Sequence, residues 1–118
     1  MQAVAKFLQA RIRKDDIICR FGGEEFLVIM PESGLEDTRR RAERFSREIS
    51  SLGPAEENRG LKGITLSIGV AVFPLHGDSV TPLLEAADKA LYEAKAKGRN
   101  CVVVARPNRI DRNIQEAA

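Results

Sequence analysis

Residues 16–31 read DIICRFGGEEFLVIMP, in which two glycines and two glutamates separate two short apolar runs. Gly22 and Gly23 adopt positive φ at little steric cost, so the pattern predicts a β-hairpin with a two-residue turn between strands at 17–21 and 26–30. Phosphates or sugars can approach this turn closely, because neither glycine carries a side chain. The stretch therefore predicts a local fold and a candidate binding site together.

Two carboxylates follow the glycines directly. Glu24 and Glu25 supply hard oxygen ligands of the kind that Mg²⁺ or Mn²⁺ prefers. Two ionised carboxylates about 4 Å apart at an effective dielectric of about 20 repel by about 4 kcal/mol, and a divalent cation relieves that repulsion. Neighbouring side chains of a strand point to opposite faces, which would keep the two carboxylates apart. The competing interpretation is therefore an exposed hairpin with two acidic residues beside its turn. The residues by themselves leave both interpretations open.

Four motifs resemble those of the GGDEF family, the diguanylate cyclases. The string RFGGEEF at 20–26 is similar to the family's signature in its GGEEF form, and RKDD at 13–16 resembles its RxxD product-binding motif. Residues 65–71 resemble an internal strand of that domain, and residues 87–100 resemble its closing helix and turn. The motifs occur in the family's order.

This resemblance implies an enzyme that condenses two GTP molecules into cyclic di-GMP and two pyrophosphates. Each domain then binds one GTP, so a homodimer is implied, with GTP and cyclic di-GMP as ligands. Glu24 and Glu25 are implied as the catalytic metal ligands for Mg²⁺ or Mn²⁺, and Gly22 and Gly23 as substrate-binding backbone.

Lys95 and Arg99 form a second candidate pair near the end of a predicted helix. Their charged groups can converge on a triphosphate if helical geometry continues through Gly98. Cations near a helix C-terminus are also stabilised by the helix dipole, by about 0.3–1 kcal/mol, without any ligand. The resemblance implies that both residues contact substrate phosphates.

Arg13 and Asp16 stand three positions apart, where a surface ion pair worth about 0–1 kcal/mol is one interpretation. The other is a product site, because an arginine fork binds guanine or phosphate and an aspartate accepts from guanine. Arg44 lies where the family often supplies another arginine to that inhibitory site. We expect cyclic di-GMP to bind there.

The family's first-strand DxD-type, FKxxND and GHxxGD motifs do not occur in these 118 residues. The resemblance covers about the last two-thirds of a domain, so we expect residues 1–105 to form a truncated GGDEF domain and 106–118 a polar tail. This chain alone is expected to be inactive. The alternatives are a cyclic di-GMP receptor or a regulatory interaction module that uses the RxxD site.

The expected fold is α/β (α+β), a ferredoxin-like, mostly antiparallel sheet flanked by helices and lacking its central first strand. The patterns predict a helix that opens with a Ser33–Glu36 capping box, a strand over 64–72 and a helix that Gly98 ends. Because the missing strand leaves two open edges, we expect direct re-pairing of the flanking strands or, preferably, a dimer that fills the gap.

Composition sets further limits. With 43% apolar residues the chain builds one core, and a net charge of +2 does not indicate nucleic-acid binding. No apolar run approaches the roughly 18 residues of a membrane span, so we expect a cytoplasmic segment without membrane contact, which is compatible with an anchor elsewhere in a longer protein. Four side chains have non-catalytic expectations: buried reduced thiols at Cys19 and Cys101, a loop imidazole without metal at His76, and a packing ring at Tyr92.

Overall fold

The computed structural model describes residues 2–20, 25–52 and 60–107. Helices and strands alternate in the order α1 (Gln2–Gln9), β1 (Ile17–Arg20), β2 (Phe26–Ile29), α2 (Leu35–Ser50), β3 (Ile68–Val70), α3 (Val80–Ala96) and β4 (Val102–Val104). This is the predicted α+β class. Most of the predicted 106–118 tail lies outside the described residues.

The predicted hairpin is present, with β1 antiparallel to β2. Ile17 lies opposite Ile29 and Arg20 opposite Phe26. The predicted two-residue turn at Gly22 and Gly23 lies outside the described residues. The two antiparallel strands of the hairpin are therefore confirmed, and its turn stays a prediction.

The other two strands form a separate parallel ladder, with Ile68 opposite Val102 and Val70 opposite Val104. Over the described residues, the sheet thus consists of two ladders, β1–β2 and β3–β4, and β2 does not pair with β3. The direct re-pairing expected as one repair of the open edges is wrong for this part of the chain. Both ladders instead pack against helices.

The largest cluster of buried side chains joins α1, α2 and a residue between α2 and β3. Strand residues from both ladders pack against it, including Ile18, Phe26 and Ile68. Its buried members are Val4, Phe7, Leu8, Phe45, Ile49 and Leu61. Burying each such large apolar side chain contributes about 1.5–3 kcal/mol, so this cluster fixes α1 and α2 relative to the hairpin.

Helix α3 packs directly on β3 at Gly69. A Cβ added there would collide with the backbone carbonyl oxygen of Ala87 and the backbone nitrogen of Leu91, and would lie 2.9 Å from Leu91 Cα. The inward face of α3 is correspondingly small, with Ala90 and Ala94 fully packed against β4. This close contact sets the position of the middle of α3 on β3.

The capping-box prediction at the start of α2 is wrong. Gly34 is the N-cap, and no side chain caps the helix. The Ser33 hydroxyl donates to Asp37 Oδ2 at 3.2 Å, and Glu36 pairs with Arg39 at 2.6 Å, so both side chains are used by other partners.

Three single-residue expectations also need correction. Both cysteines are free thiols, as predicted, but neither is fully buried. Cys19 is exposed because β1 has little covering on either face, and Cys101 is half-buried. Tyr92 is 74% exposed, since it lies between the inward-facing Ala90 and Ala94 on the opposite side of α3. Throughout the part of the chain that the structure describes, no helix has both the length and the apolar character needed to cross a membrane.

Candidate functional site

The residue before β2 is the described part of the predicted metal motif. Glu25 Oε1 accepts a hydrogen bond from Lys95 Nζ at 3.2 Å, and the two side chains are 39% and 36% exposed. Gly22, Gly23 and Glu24 lie outside the described residues. The fold thus brings together one predicted metal ligand and one predicted phosphate contact.

The pair is accessible to a ligand. An ammonium group has three N–H donors, and Glu25 uses one of those on Lys95. Because both side chains are partly exposed, a phosphate group can approach Lys95 without displacing any core residue. Glu25 compensates the charge of Lys95 in the absence of a ligand, and Lys95 keeps donors with which it can bind a polyanion.

Arg99 does not continue the helix that carries Lys95. Helix α3 ends at Ala96, Gly98 and Arg99 take φ values of +107° and +66°, and the Arg99 amide donates to Ala94 O at 3.0 Å. The condition for helical convergence of Lys95 and Arg99 is therefore not met, because the chain reverses at Gly98. The exposed Arg99 guanidinium forms no ion pair with any described residue.

The described residues do not complete a metal site. No three acidic, histidine or cysteine side chains among 2–20, 25–52 and 60–107 come close enough to hold an ion together. Glu25 fits as a single oxygen ligand whose charge is partly compensated by Lys95.

The predicted product motif is organised differently from a simple ion pair. Asp16 Oδ2 accepts from the backbone amide of Arg13 at 2.8 Å and from Arg41 Nη2, a residue of α2. The Asp16 and Arg41 side chains are only 4% and 8% exposed. The surface ion pair between the Arg13 and Asp16 side chains is therefore wrong, and Asp16 is a buried connection to α2.

The guanidinium of Arg13 instead faces the first turn of α2. Its Nη1 and Nη2 atoms donate to Asp37 Oδ2 and Oδ1 at 3.1 and 3.3 Å, a two-bond fork. The side chains of Arg13 and Asp37 are 61% and 45% exposed. The cation predicted to bind product is thus on the surface and paired with a carboxylate.

Both aspartates are held in their ionised form. Burial by itself raises the pKa of Asp16, but the hydrogen bonds from Arg41 and the Arg13 amide, with the two positive charges, bring that pKa below its ordinary value. The hydrogen bond from Arg13 is the main cause that lowers the pKa of Asp37. At neutral pH both pairs are therefore fully charged.

Arg44 is not part of this arrangement. Its side chain is 66% exposed, and Nε lies 3.4 Å from Glu48 Oε1. Glu48 also accepts from Arg11 at 2.7 Å, which lowers the pKa of Glu48. Over the described residues, the structure does not bring Arg44 into contact with Arg13 or Asp16.

Sequence reasoning missed Asp37 and Arg41. They stand four positions apart on α2, so they share a helix face, and their charges are opposite to those of Arg13 and Asp16. That complementary spacing is compatible with the two pairings but does not select them, because Glu36 and Arg40 are spaced in the same way. Arg41 Nη1 is buried and has no hydrogen-bond acceptor within the described part of the chain.

His76 is a buried structural acceptor. Its Nδ1 accepts from the Val72 backbone amide at 2.9 Å, and the His76 amide donates to Val72 O at 2.9 Å. Burial lowers the pKa of His76, which favours the neutral ring that this contact requires. The histidine follows β3 in a loop, as predicted, and its role there is to close the turn.

Comparison with known sequences gives a consistent result. The sequence model of the family described as "Diguanylate cyclase, GGDEF domain" matches residues 1–101. Response regulator PleD of Caulobacter vibrioides is 44% identical over 97 residues, which are 81% of this chain and 21% of that protein. Diguanylate cyclase VdcA of Vibrio cholerae is 41% identical over 105 residues, covering 87% of this chain and 31% of VdcA.

Solved structures share the fold. The active GGEEF domain of a diguanylate cyclase from Vibrio cholerae aligns with a TM-score of 0.75 and 28% identity, over 89% of this chain and 65% of that one. The GGDEF domain of DgcB from Caulobacter crescentus, solved in complex with c-di-GMP, aligns with a TM-score of 0.72 and 34% identity, over 87% and 61%. The chain thus spans less than a third of these curated relatives and under two-thirds of these solved chains.

Proposed function

Because this chain belongs to the GGDEF family of diguanylate cyclase domains, we propose that it is part of a unit that joins two GTP molecules into cyclic di-GMP and two pyrophosphates. The observation that carries the proposal is the contact between Glu25 and Lys95. It brings Glu25 of the GGEEF segment against the end of α3, beside a cation that can neutralise a phosphate group.

In this proposal the residues of the chain bind and orient the nucleotide. The ammonium of Lys95 and the exposed guanidinium of Arg99 neutralise phosphate oxygens, and the backbone at Gly22 and Gly23 admits the substrate. Glu24 and Glu25 are the proposed ligands of a divalent cation, Mg²⁺ or Mn²⁺. Such an ion, when bound, supplies positive charge that stabilises the phosphoryl transition state.

The proposed reaction requires two copies of the domain. Each copy holds one GTP, and each 3′-hydroxyl attacks the α-phosphorus of the other nucleotide, so catalysis depends on mutual orientation in a homodimer. We propose a homodimer as the active state.

Turnover by the isolated chain tests the first proposal. We expect little cyclic di-GMP from it, and restored synthesis when the preceding segment of the Vibrio cholerae GGEEF domain is fused before residue 1. Glu24→Gln should abolish synthesis in this chimera, whereas Glu85→Gln, an exposed carboxylate on α3, should not. Chromatography of the nucleotide products with GTP and Mg²⁺ gives the measurement. A chimera that folds but shows equal turnover with Glu24→Gln would exclude the proposed role of this glutamate.

A second proposal concerns product binding, as in a receptor or a feedback site. The exposed, planar fork of Arg13 matches two oxygens of a phosphodiester, and the related DgcB domain was solved with c-di-GMP. Calorimetry with cyclic di-GMP and no GTP tests it. We expect Arg13→Ala to weaken binding by more than about tenfold, since charged hydrogen bonds contribute about 1.5–3 kcal/mol each. Binding of neither nucleotide would favour an interaction module.

A further inference from the structure

Four charged side chains between the α1–β1 connection and α2 form two crossed pairs. Arg13 pairs with Asp37 and Asp16 with Arg41, so positive and negative groups alternate on each segment. One pair is largely exposed and the other almost completely buried. The two pairs therefore have different relations to a ligand from solvent.

The buried pair positions the connection. Asp16 accepts from Arg41 and from the Arg13 amide, while the Asp16 amide donates to Arg13 O at 3.0 Å. These contacts fix the backbone of Arg13 relative to α2. A ligand can use the Arg13 side chain without breaking any of them.

The exposed pair of Arg13 and Asp37, by contrast, must break before a ligand can use the guanidinium fork. Both terminal nitrogens of Arg13 donate to the two oxygens of Asp37, and the Ser33 hydroxyl donates to the same carboxylate at 3.2 Å. Two oxygens of a phosphodiester need the same two parallel donors. Asp37 and a phosphodiester therefore exclude each other at this edge of the guanidinium.

We infer that Asp37 is an internal competitor that occupies the fork of Arg13 and thereby lowers the affinity of this site for phosphodiester ligands. The inference rests on the product site proposed above. Its energetic basis is that a ligand binds the fraction of molecules in which the guanidinium is free, so its apparent affinity falls with that fraction. Asp37 sets the affinity of the site without needing to touch the ligand.

Asp37→Asn removes the charge while keeping the shape, and Glu36→Gln is the matched control in the same helical turn. Glu36 is exposed and pairs with Arg39 rather than with Arg13. By calorimetry with cyclic di-GMP, Asp37→Asn should bind about three- to fivefold more tightly than wild type, and Glu36→Gln within about 1.5-fold. The gain should shrink at high salt, which screens an exposed pair.

A second probe separates this inference from the product site. Inorganic phosphate is titrated into the wild-type protein, Asp37→Asn and Glu36→Gln, and the side-chain N–H resonance of Arg13 is followed by NMR. If cyclic di-GMP fails to bind but phosphate shifts this resonance at lower concentration in Asp37→Asn, internal competition stands and the product site is refuted. If cyclic di-GMP binds wild type and Asp37→Asn equally, or if Glu36→Gln gains as much, the competition is overturned while the product site stands. If wild type and Asp37→Asn do not differ with either probe, the internal competition is overturned as well.

Discussion

Glu25 Oε1 lies 3.2 Å from Lys95 Nζ, although 70 positions separate these residues in the chain. Contact over this separation requires the hairpin and the end of α3 to meet. The hairpin follows α1 and packs against the α1–α2 core, whereas α3 is held by β3 and β4. The candidate active site is thus located where the start of β2 meets the C-terminal end of α3.

Lys95→Met in the chimera that restores the preceding segment is expected to lower the rate of cyclic di-GMP synthesis by about 10- to 100-fold. The reason is the loss of a charged hydrogen bond to substrate phosphate, which contributes about 1.5–3 kcal/mol. Lys89→Met removes the same charge from an exposed position of α3 and serves as control. Steady-state rates with GTP and Mg²⁺ provide the measurement, and equal rates for all three proteins would contradict the assigned role.

Arg41→Met should reduce the free energy of unfolding by about 3 kcal/mol, because it leaves the buried Asp16 carboxylate without its main partner. Arg40→Met, at an exposed neighbouring position, should change it by less than about 0.5 kcal/mol. Urea denaturation measures both. The double variant Arg41→Met with Asp16→Asn should recover part of the loss, and failure to do so would show that the damage does not come from an unpaired charge.

Stability should fall as the pH drops below about 6.5, the ordinary pKa of histidine, because the pKa of His76 is lower in the folded state. Between the lowered pKa of His76 in the folded chain and its ordinary pKa in the unfolded chain, the unfolded chain binds the proton more readily. Below the folded pKa, the stability that comes from keeping His76 neutral is fully lost. The slope from this group is at most about 1.4 kcal/mol per pH unit.

The matched variant for this pH dependence is His76→Asn, which retains an acceptor for the Val72 amide and cannot titrate. Urea denaturation at several values between about pH 5 and about pH 7 should show a shallower slope for the variant. Identical slopes would mean that other groups cause the pH dependence.

Gly69→Ala should destabilise the chain by about 1–3 kcal/mol or more, because the new methyl group would collide with the backbone of α3 at Ala87 and Leu91. Gly34→Ala is the comparison: a Cβ there meets nothing within 4 Å, so its expected cost is only that of alanine at the N-cap of α2, about 1 kcal/mol or less. Thermal denaturation followed by circular dichroism measures the difference. If both variants melt together, α3 is able to move away from β3 at little cost.

Association of the chain with itself is expected from its two separate ladders. Neither β2 nor β3 has a second strand partner among the described residues, and open strand edges recruit other chains. Light scattering after size exclusion should show a dimer that dissociates on dilution. Ile29→Lys, at an exposed position of β2, should weaken it, whereas Val80→Lys on α3 should not. A monomer at every concentration would refute this expectation.

Local patterns predicted the elements well where one residue spacing dominates. The two glycines and two glutamates between apolar runs predicted the strands of the hairpin, and the patterns also placed a helix shortly after Ser33, where α2 begins at Leu35. These features depend on interactions between residues close in sequence, so the sequence reports them directly. Motif order over 13–100 was likewise sufficient to identify the family.

Tertiary structure alone decided which charges meet. Asp16 pairs with Arg41 and Arg13 with Asp37, whereas the sequence offered only an Arg13–Asp16 ion pair or a product site, and neither interpretation names a partner on α2. A side-chain ion pair depends on the separation of charged atoms in space, which the packing of α2 against the α1–β1 connection sets. For the same reason the contact of Glu25 with Lys95 follows from how the hairpin meets the end of α3, and short-range spacing contains no information about it.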